Sequence, residues 1–178
     1  MRMQVIDMHV HVPRKPGRPE IEIEPHLREY FRVRSAPETA DEMAAQYKEW
    51  DILGAIFSVD TESSTGEGPD SNDYAAEIAT RHHQQFIGFA TVDPLKGKAA
   101  VLELERAVTR LGLKGLKLQP IHQAFFPNDQ RFYLCTRNVL SWGCRCCSTP
   151  GLPRRVPAQC WPVRSSLKTL WDGSLVIS

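Results

Sequence analysis

The stretch that decides the fold is residues 3–12, MQVIDMHVHV, an apolar and β-branched run that Pro13 ends. Such a run predicts a buried β-strand. Three more short apolar runs follow it along the chain, namely GAIFSVD (54–60), FIGFATV (86–92) and GLKLQP (115–120). Short, mostly apolar strands are typical of a parallel sheet that is covered by helices.

Amphipathic helices are predicted between these strands. Thr39 and Glu42 form a capping-box pattern before the first helix, Ser71-Asn72-Asp73 supplies cap residues for the second, and Gly112 ends the third. Repeated β–α units fit either a doubly wound sheet or a barrel. An eight-stranded barrel takes about 250 residues. We therefore predict an α/β fold, the N-terminal half of a (β/α)8 TIM barrel with about four β–α units, followed by an irregular tail.

The composition limits the class of protein. The chain has 178 residues, of which 42% are hydrophobic and 24% charged, so one domain with a real core is expected. No apolar run approaches the roughly 18 residues of a membrane span, which predicts a soluble protein with no membrane partner. The net charge of +1 argues against nucleic acid as a partner. The N-terminus shows no signal-peptide pattern, so a cytoplasmic location is expected.

Two different compositions meet near residue 133. All five cysteines and three of the four tryptophans follow that position. Residues 1–133 hold 16 Lys+Arg against 20 Asp+Glu, a net charge of −4, whereas residues 134–178 hold 6 against 1, a net charge of +5. We therefore predict a partial barrel over 1–133 and a separate, disordered tail over 134–178.

The candidate chemistry lies in Asp7-Met8-His9-Val10-His11, a D-x-H-x-H pattern at the end of the first strand. Two histidines two positions apart on a strand leave from the same face about 7 Å apart, and both rings can reach one cation at about 2.1 Å. Active sites of barrels lie at this end of the strands. A bare His-x-His is frequent by chance, but its place on the first strand favours a metal site. His122, just past the fourth strand, would lie on the same rim.

Four segments carry a resemblance to a known family: IDMHVHVP, NDYAAEIATRHHQQFIGFATVDP, LERAVTRLGLKGLKLQP and FFPNDQRFY. They resemble the amidohydrolase-related metal-dependent hydrolases, in the branch that includes aminocarboxymuconate-semialdehyde decarboxylase and resorcylate decarboxylase. The resemblance implies a (β/α)8 barrel with one divalent metal, usually zinc. It also implies a small-molecule substrate. The complete barrel protein to which this chain would correspond, called the parent below, is expected to be a homo-oligomer.

The resemblance assigns roles to residues of this chain. His9 and His11 match the metal ligands of the first strand, while the third ligand would be a His on the fifth strand. A His on the sixth strand and an Asp on the eighth would complete the site. Gln119 stands where many relatives have a His before the Pro. We predict Gln119, His122 and Asn72 as residues that line the substrate site, and the catalytic residue stays unassigned.

The tail suggests a change of reading frame. In the shifted frame, each codon takes the third base of one present codon and the first two bases of the next. Over residues 133–151 the genetic code then allows a protein sequence with an acidic helix, a Gly and an apolar strand that ends in His-Thr-Gly. That is the next β–α step expected of the family. We hypothesise a single-base deletion just after Phe132. The tail cysteines do not show the spacing of a zinc cluster.

The sequence therefore predicts part of a metal-dependent hydrolase or non-oxidative decarboxylase that acts on a small carboxylated, cyclic or aromatic substrate. Two histidines alone make a weak metal site, so little or no activity is expected of the chain as written. The alternative is a non-catalytic interaction or metal-binding domain that uses the Cys-rich tail. A D-x-H-x-H phosphoesterase or nuclease is disfavoured because no phosphate-binding Gly loop is present.

Overall fold

A computed structural model describes residues 5–13, 15, 39–66, 68–69, 71–126, 129–130, 133, 135, 145–148 and 175–177. These residues form six strands and four α-helices. In chain order they are β1 (Val5–His11), α1 (Ala40–Trp50), β2 (Ile52–Phe57), α2 (Glu62–Thr65), α3 (Asn72–Arg81), β3 (Phe86–Ala90), α4 (Lys98–Thr109), β4 (Gly115–Leu118), β5 (Arg145–Ser148) and β6 (Leu175–Ile177).

The longer helices begin where the cap residues predict. Thr39 accepts a hydrogen bond from the Glu42 backbone N–H, and the Glu42 side chain accepts one from the Thr39 backbone, so the capping box at α1 is complete. Ser71 caps α3 by accepting from the Tyr74 backbone N–H. Gly112 has a φ of +72°, the left-handed conformation that follows many helices. The three predicted amphipathic helices are therefore confirmed.

All strand pairs are parallel, and the sheet has the order β5-β4-β3-β2-β1-β6. From β1 to β5 each strand lies beside its predecessor in sequence. A barrel places consecutive strands side by side in this way, and it closes at the edge of β1, where β6 pairs. The fold is thus half of a (β/α)8 barrel, as the sequence predicts.

The sheet has a helix-covered outer face and an inner face. On the outer face, one cluster packs α1 and α3 against Val10 and Ile56, and a second packs α4 against Leu116 and Leu118. Ala55, Phe57 and Phe89 form a third cluster on the inner face, which also includes Met8. The strands β1 to β4 therefore direct side chains both to the helices and to the barrel interior.

Strand β1 departs from regular pairing with β2. Asp7 pairs with Gly54 and Val10 with Ile56, so three steps along β1 match two steps along β2. This extra residue is a β-bulge, and it changes which face the following side chains occupy.

Residues 62–65 form the single-turn helix α2 between β2 and α3. The tail differs from the sequence-based prediction. Strands β5 and β6 lie within 134–178, and β5 extends the sheet beyond β4. The division of the chain at residue 133 stays a prediction. None of the helices in the described ranges combines the length and apolar composition that a membrane span requires.

Candidate metal centre

The two histidines of β1 meet at the carboxyl end of the sheet. Their Nε2 atoms lie 3.0 Å apart, and the ring centroids are 5.0 Å apart. Both rings contact the buried Phe57 ring, with centroid distances of 5.5 Å for His9 and 4.9 Å for His11. Phe57 thus packs against both imidazoles on the inner face of the sheet. His9 and His11 themselves are exposed.

The bulge in β1 brings the pair to this face. Asp7 precedes it and faces the helices, where its Oδ2 accepts a hydrogen bond of 2.8 Å from the Tyr47 hydroxyl. Its Oδ1 accepts a hydrogen bond of 2.9 Å from the His9 backbone N–H within the bulge. With regular alternation Asp7 and His9 would share a face, so the bulge is what separates them.

Gln119, immediately after β4, reaches the pair from across the sheet. Its Nε2 lies 3.3 Å from His11 Nε2 and 3.5 Å from His9 Nε2. The side chain is almost completely buried. The structure therefore brings together three of the five predicted site residues.

The electrostatic environment keeps the histidines neutral near pH 7. Desolvation is the main cause that lowers the pKa of His11 to about 4, and the charges of His9, Lys117 and His122 add to it. The pKa of His9 is also lowered, first by desolvation and then by Lys117. A neutral imidazole offers a nitrogen lone pair to a metal, whereas a protonated one does not.

Lys117 was not predicted as a site residue. It is buried on the inner face of β4, with Nζ 5.0 Å from the centre of the Phe57 ring and 3.3 Å from the Met8 carbonyl oxygen. Its place two residues before Gln119 on a strand was the only signal in the sequence, since residues two apart share a face.

Gln123 is a second residue that the sequence did not reveal. Its Oε1 accepts from the Gln119 backbone N–H at 2.8 Å, and its Nε2 donates to the carbonyl oxygens of Asp60 at 2.9 Å and Val92 at 2.8 Å. These partners follow β4, β2 and β3, so one buried carboxamide joins the carboxyl ends of three strands. Nothing in the local sequence pattern distinguishes Gln123 from a loop glutamine.

The other two predicted substrate residues lie in different surroundings. His122 is exposed, and its carbonyl oxygen accepts a hydrogen bond from the Ser64 hydroxyl. Asn72 is buried at the start of α3, where its carboxamide exchanges two hydrogen bonds with the Thr91 backbone and donates one to Glu103. Contact of either residue with a substrate stays a prediction.

The histidine pair fits a divalent metal. Ligand atoms 2.1 Å from one cation stand about 3.0 Å apart at a right angle and about 3.4 Å apart at the tetrahedral angle. The 3.0 Å between the two Nε2 atoms lies in this range. Within the described part of the chain, no group of three or more His, Cys, Asp or Glu residues could hold a metal ion. Cys135 is buried and free, and the side chains of the other cysteines lie outside the described residues.

Solved structures share this architecture. A 5-carboxyvanillate decarboxylase from Sphingomonas paucimobilis is 18% identical with a TM-score of 0.57, and the match covers 82% of this chain and 51% of that one. A putative amidohydrolase from Staphylococcus aureus is 17% identical with a TM-score of 0.55, covering 83% and 48%. The chain thus spans about half the length of the solved structures that it matches. No curated protein matches it.

The sequence pattern of a known family matches most of the chain. The match is to the family described as Amidohydrolase, and it covers residues 6–152, from β1 through β5. The chain belongs to the amidohydrolase family.

Proposed function

We propose that His9 and His11 bind one divalent metal ion, zinc in the first instance, at the carboxyl end of the half-barrel. The 3.0 Å separation of their Nε2 atoms carries the proposal. Imidazole nitrogens suit zinc, iron and their divalent neighbours. Phe57 and the bulge hold the rings in place before any metal arrives, which reduces the entropy lost on binding.

We further propose that the parent protein is a metal-dependent hydrolase or non-oxidative decarboxylase acting on a small carboxylated, cyclic or aromatic compound. The family supports the first reaction, and the decarboxylase among the solved neighbours supports the second. A bound divalent metal supplies Lewis-acid chemistry and lowers the pKa of water. The contribution of this chain is to orient the metal through two neutral imidazoles and to supply the wall formed by Phe57, Lys117 and Gln119.

The metal site is tested by titrating the full 178-residue chain with Zn²⁺ and measuring bound metal after dialysis. His9→Ala and His11→Ala should abolish binding, whereas His83→Ala, which changes an exposed histidine, should retain it. Retained binding in both β1 variants would refute the site. Loss of zinc on Cys146→Ser and Cys147→Ser would support the alternative in which the tail binds metal.

The proposed activity belongs to the parent protein and not to the 178-residue chain. We propose that the chain as written has little or no activity, because the acid/base residues of the family would come from later strands. We also propose that a single-base deletion just after Phe132 separates it from the parent, on the basis of the abrupt change in composition there.

The coding DNA decides the frame. Restoring one base near Tyr133 should open a frame that continues with further β–α units, and a frame closed by early stop codons would refute the deletion. The restored protein should release CO₂ from an aromatic carboxylate such as 5-carboxyvanillate, or hydrolyse a related compound, and a chelator should stop the reaction. Turnover by the 178-residue chain at a chelator-sensitive rate would contradict its proposed inactivity.

A further inference from the structure

Three side-chain atoms converge at the carboxyl end of β1 and β4. The Nε2 atoms of His9 and His11 and the carboxamide end of Gln119 form a triangle with edges of 3.0, 3.3 and 3.5 Å. Three donor atoms arranged around one cation at 2.1 Å form a triangle with edges of about 3.0 to 3.4 Å. Two edges lie in this range and the third, at 3.5 Å, is slightly longer, so the triangle is close in size to one face of a metal coordination shell.

The carboxamide of Gln119 can present oxygen to this position. Its oxygen and nitrogen ends are similar in size, so a half-turn about the last side-chain bond places Oε1 where Nε2 lies. A carboxamide donates to imidazole lone pairs through its nitrogen and binds a cation through its oxygen. The same side chain can thus hydrogen-bond to the imidazoles and can also bind a metal ion.

The backbone at Gln119 is held in place independently of the pair. Its N–H donates to Gln123 Oε1, and the side chain of Gln123 is fixed by the carbonyl oxygens after β2 and β3. The carboxamide of Gln119 consequently points at the histidines from a rigid base, as a ligand must.

We propose that Gln119 is the third protein ligand of this chain's metal ion, through Oε1. The inference rests on the metal site of His9 and His11 proposed above and adds a residue to it. The protein would then hold the ion through two imidazole nitrogens and one amide oxygen. A carbonyl oxygen is a harder ligand than imidazole, so this set should accept Mn²⁺ more readily than three imidazoles would.

Lys117 places a positive charge near the proposed metal site, and this charge allows a prediction for a carboxylate at position 119. Its Nζ lies 5.0 Å from the centre of the Phe57 ring, which both imidazoles contact, so its positive charge opposes a cation bound there. A neutral amide at position 119 adds no negative charge against this repulsion, whereas a carboxylate would. Gln119→Glu should therefore bind metal more tightly than the wild type.

The experiment measures the Kd of Co²⁺ for the full chain by calorimetry and records the visible absorption of the bound ion. Gln119→Leu should raise the Kd roughly tenfold or more and change the absorption bands, and Gln119→Glu should lower the Kd. Gln119→His should increase the preference for Zn²⁺ over Mn²⁺. The matched control, Gln84→Leu, changes an exposed glutamine and should leave the Kd and the spectrum unaltered.

Two results would overturn the proposal while leaving the histidine site intact. One is an unchanged Kd and spectrum in Gln119→Leu, which would reduce Gln119 to a hydrogen-bonding neighbour. The other is weaker binding in Gln119→Glu than in the wild type, which also covers the case in which Gln119→Leu fails to fold. Absence of Co²⁺ binding by the wild type, or unchanged binding in His9→Ala, would instead refute the histidine site and this proposal together.

Discussion

Replacing Gln123 with leucine should destabilise the half-barrel strongly, although the two side chains differ little in size. Gln123 is 1% exposed and makes three hydrogen bonds that join the ends of β2, β3 and β4. A hydrogen bond contributes about 1 kcal/mol, and a buried group left without a partner costs about 1–3 kcal/mol. Gln123→Leu leaves one N–H and two carbonyl oxygens unpaired, so we expect a loss of about 3–5 kcal/mol.

Urea denaturation at pH 7 measures this loss. A loss of about 3–5 kcal/mol is a large fraction of the 5–15 kcal/mol typical of a domain. The exposed control Gln84→Leu should change the free energy of unfolding by about 0.5 kcal/mol or less. A loss below about 1 kcal/mol in Gln123→Leu would refute the view that this carboxamide joins the three strands.

A second substitution at the same position separates hydrogen bonding from packing. Gln123→Glu keeps the acceptor for the Gln119 N–H but faces two carbonyl oxygens with a carboxylate oxygen. Burial and these oxygens should raise the pKa of the new carboxyl in the folded state, so the folded form binds the proton more tightly than the unfolded form. The stability deficit relative to the wild type should therefore shrink as the pH falls from 7 to 5. A deficit that is independent of pH would contradict the described contacts.

Three further predictions concern other parts of the structure. Tyr47→Phe removes the hydroxyl that donates to Asp7 and should cost about 1 kcal/mol in urea denaturation, and an unchanged stability would show that the bond contributes nothing. Gly88→Ala would place a Cβ 2.4 Å from Leu113 Cδ2 and should cost about 1–3 kcal/mol, and a fully stable variant would contradict this packing. Because the pKa of His11 is about 4 in the folded chain against 6.5 for an ordinary histidine, the unfolded form binds the proton first and stability should fall as the pH drops from about 6.5 to 4. His11→Ala should show a weaker fall over that range, measured by urea denaturation at several pH values.

Local signals in the sequence predicted the helices and the parallel sheet well. Cap residues such as Thr39 and Ser71 act within a few residues of their position, so their effect is visible in the sequence itself. The strand ends were less well predicted. The run at 54–60 was expected to be a strand, but β2 covers Ile52–Phe57, since strand boundaries depend on pairing with neighbours.

The site was predicted only where its signal is local. His9 and His11 stand two residues apart, and the resemblance pointed to Gln119 as a residue that lines the substrate site. That role stays a prediction, while the structure places the Gln119 carboxamide 3.3 Å from His11 Nε2. The role of Gln123 depends on contacts between strands far apart in sequence, and its local sequence contains no sign of them. The only signal for Lys117 was its spacing of two residues from Gln119.

The bulge in β1 has a consequence for protein engineering. Upstream of it, residues in step with Asp7 belong to the helix-facing layer, and downstream the residues in step with His9 belong to the barrel interior. Grafting Asp-x-His-x-His onto a regular strand would therefore place the carboxylate and both imidazoles on one face. A transplant that keeps Asp7 among the helices and the imidazoles in the interior must carry the extra residue of the bulge, in which the Asp7 carboxylate accepts a hydrogen bond from the His9 backbone N–H.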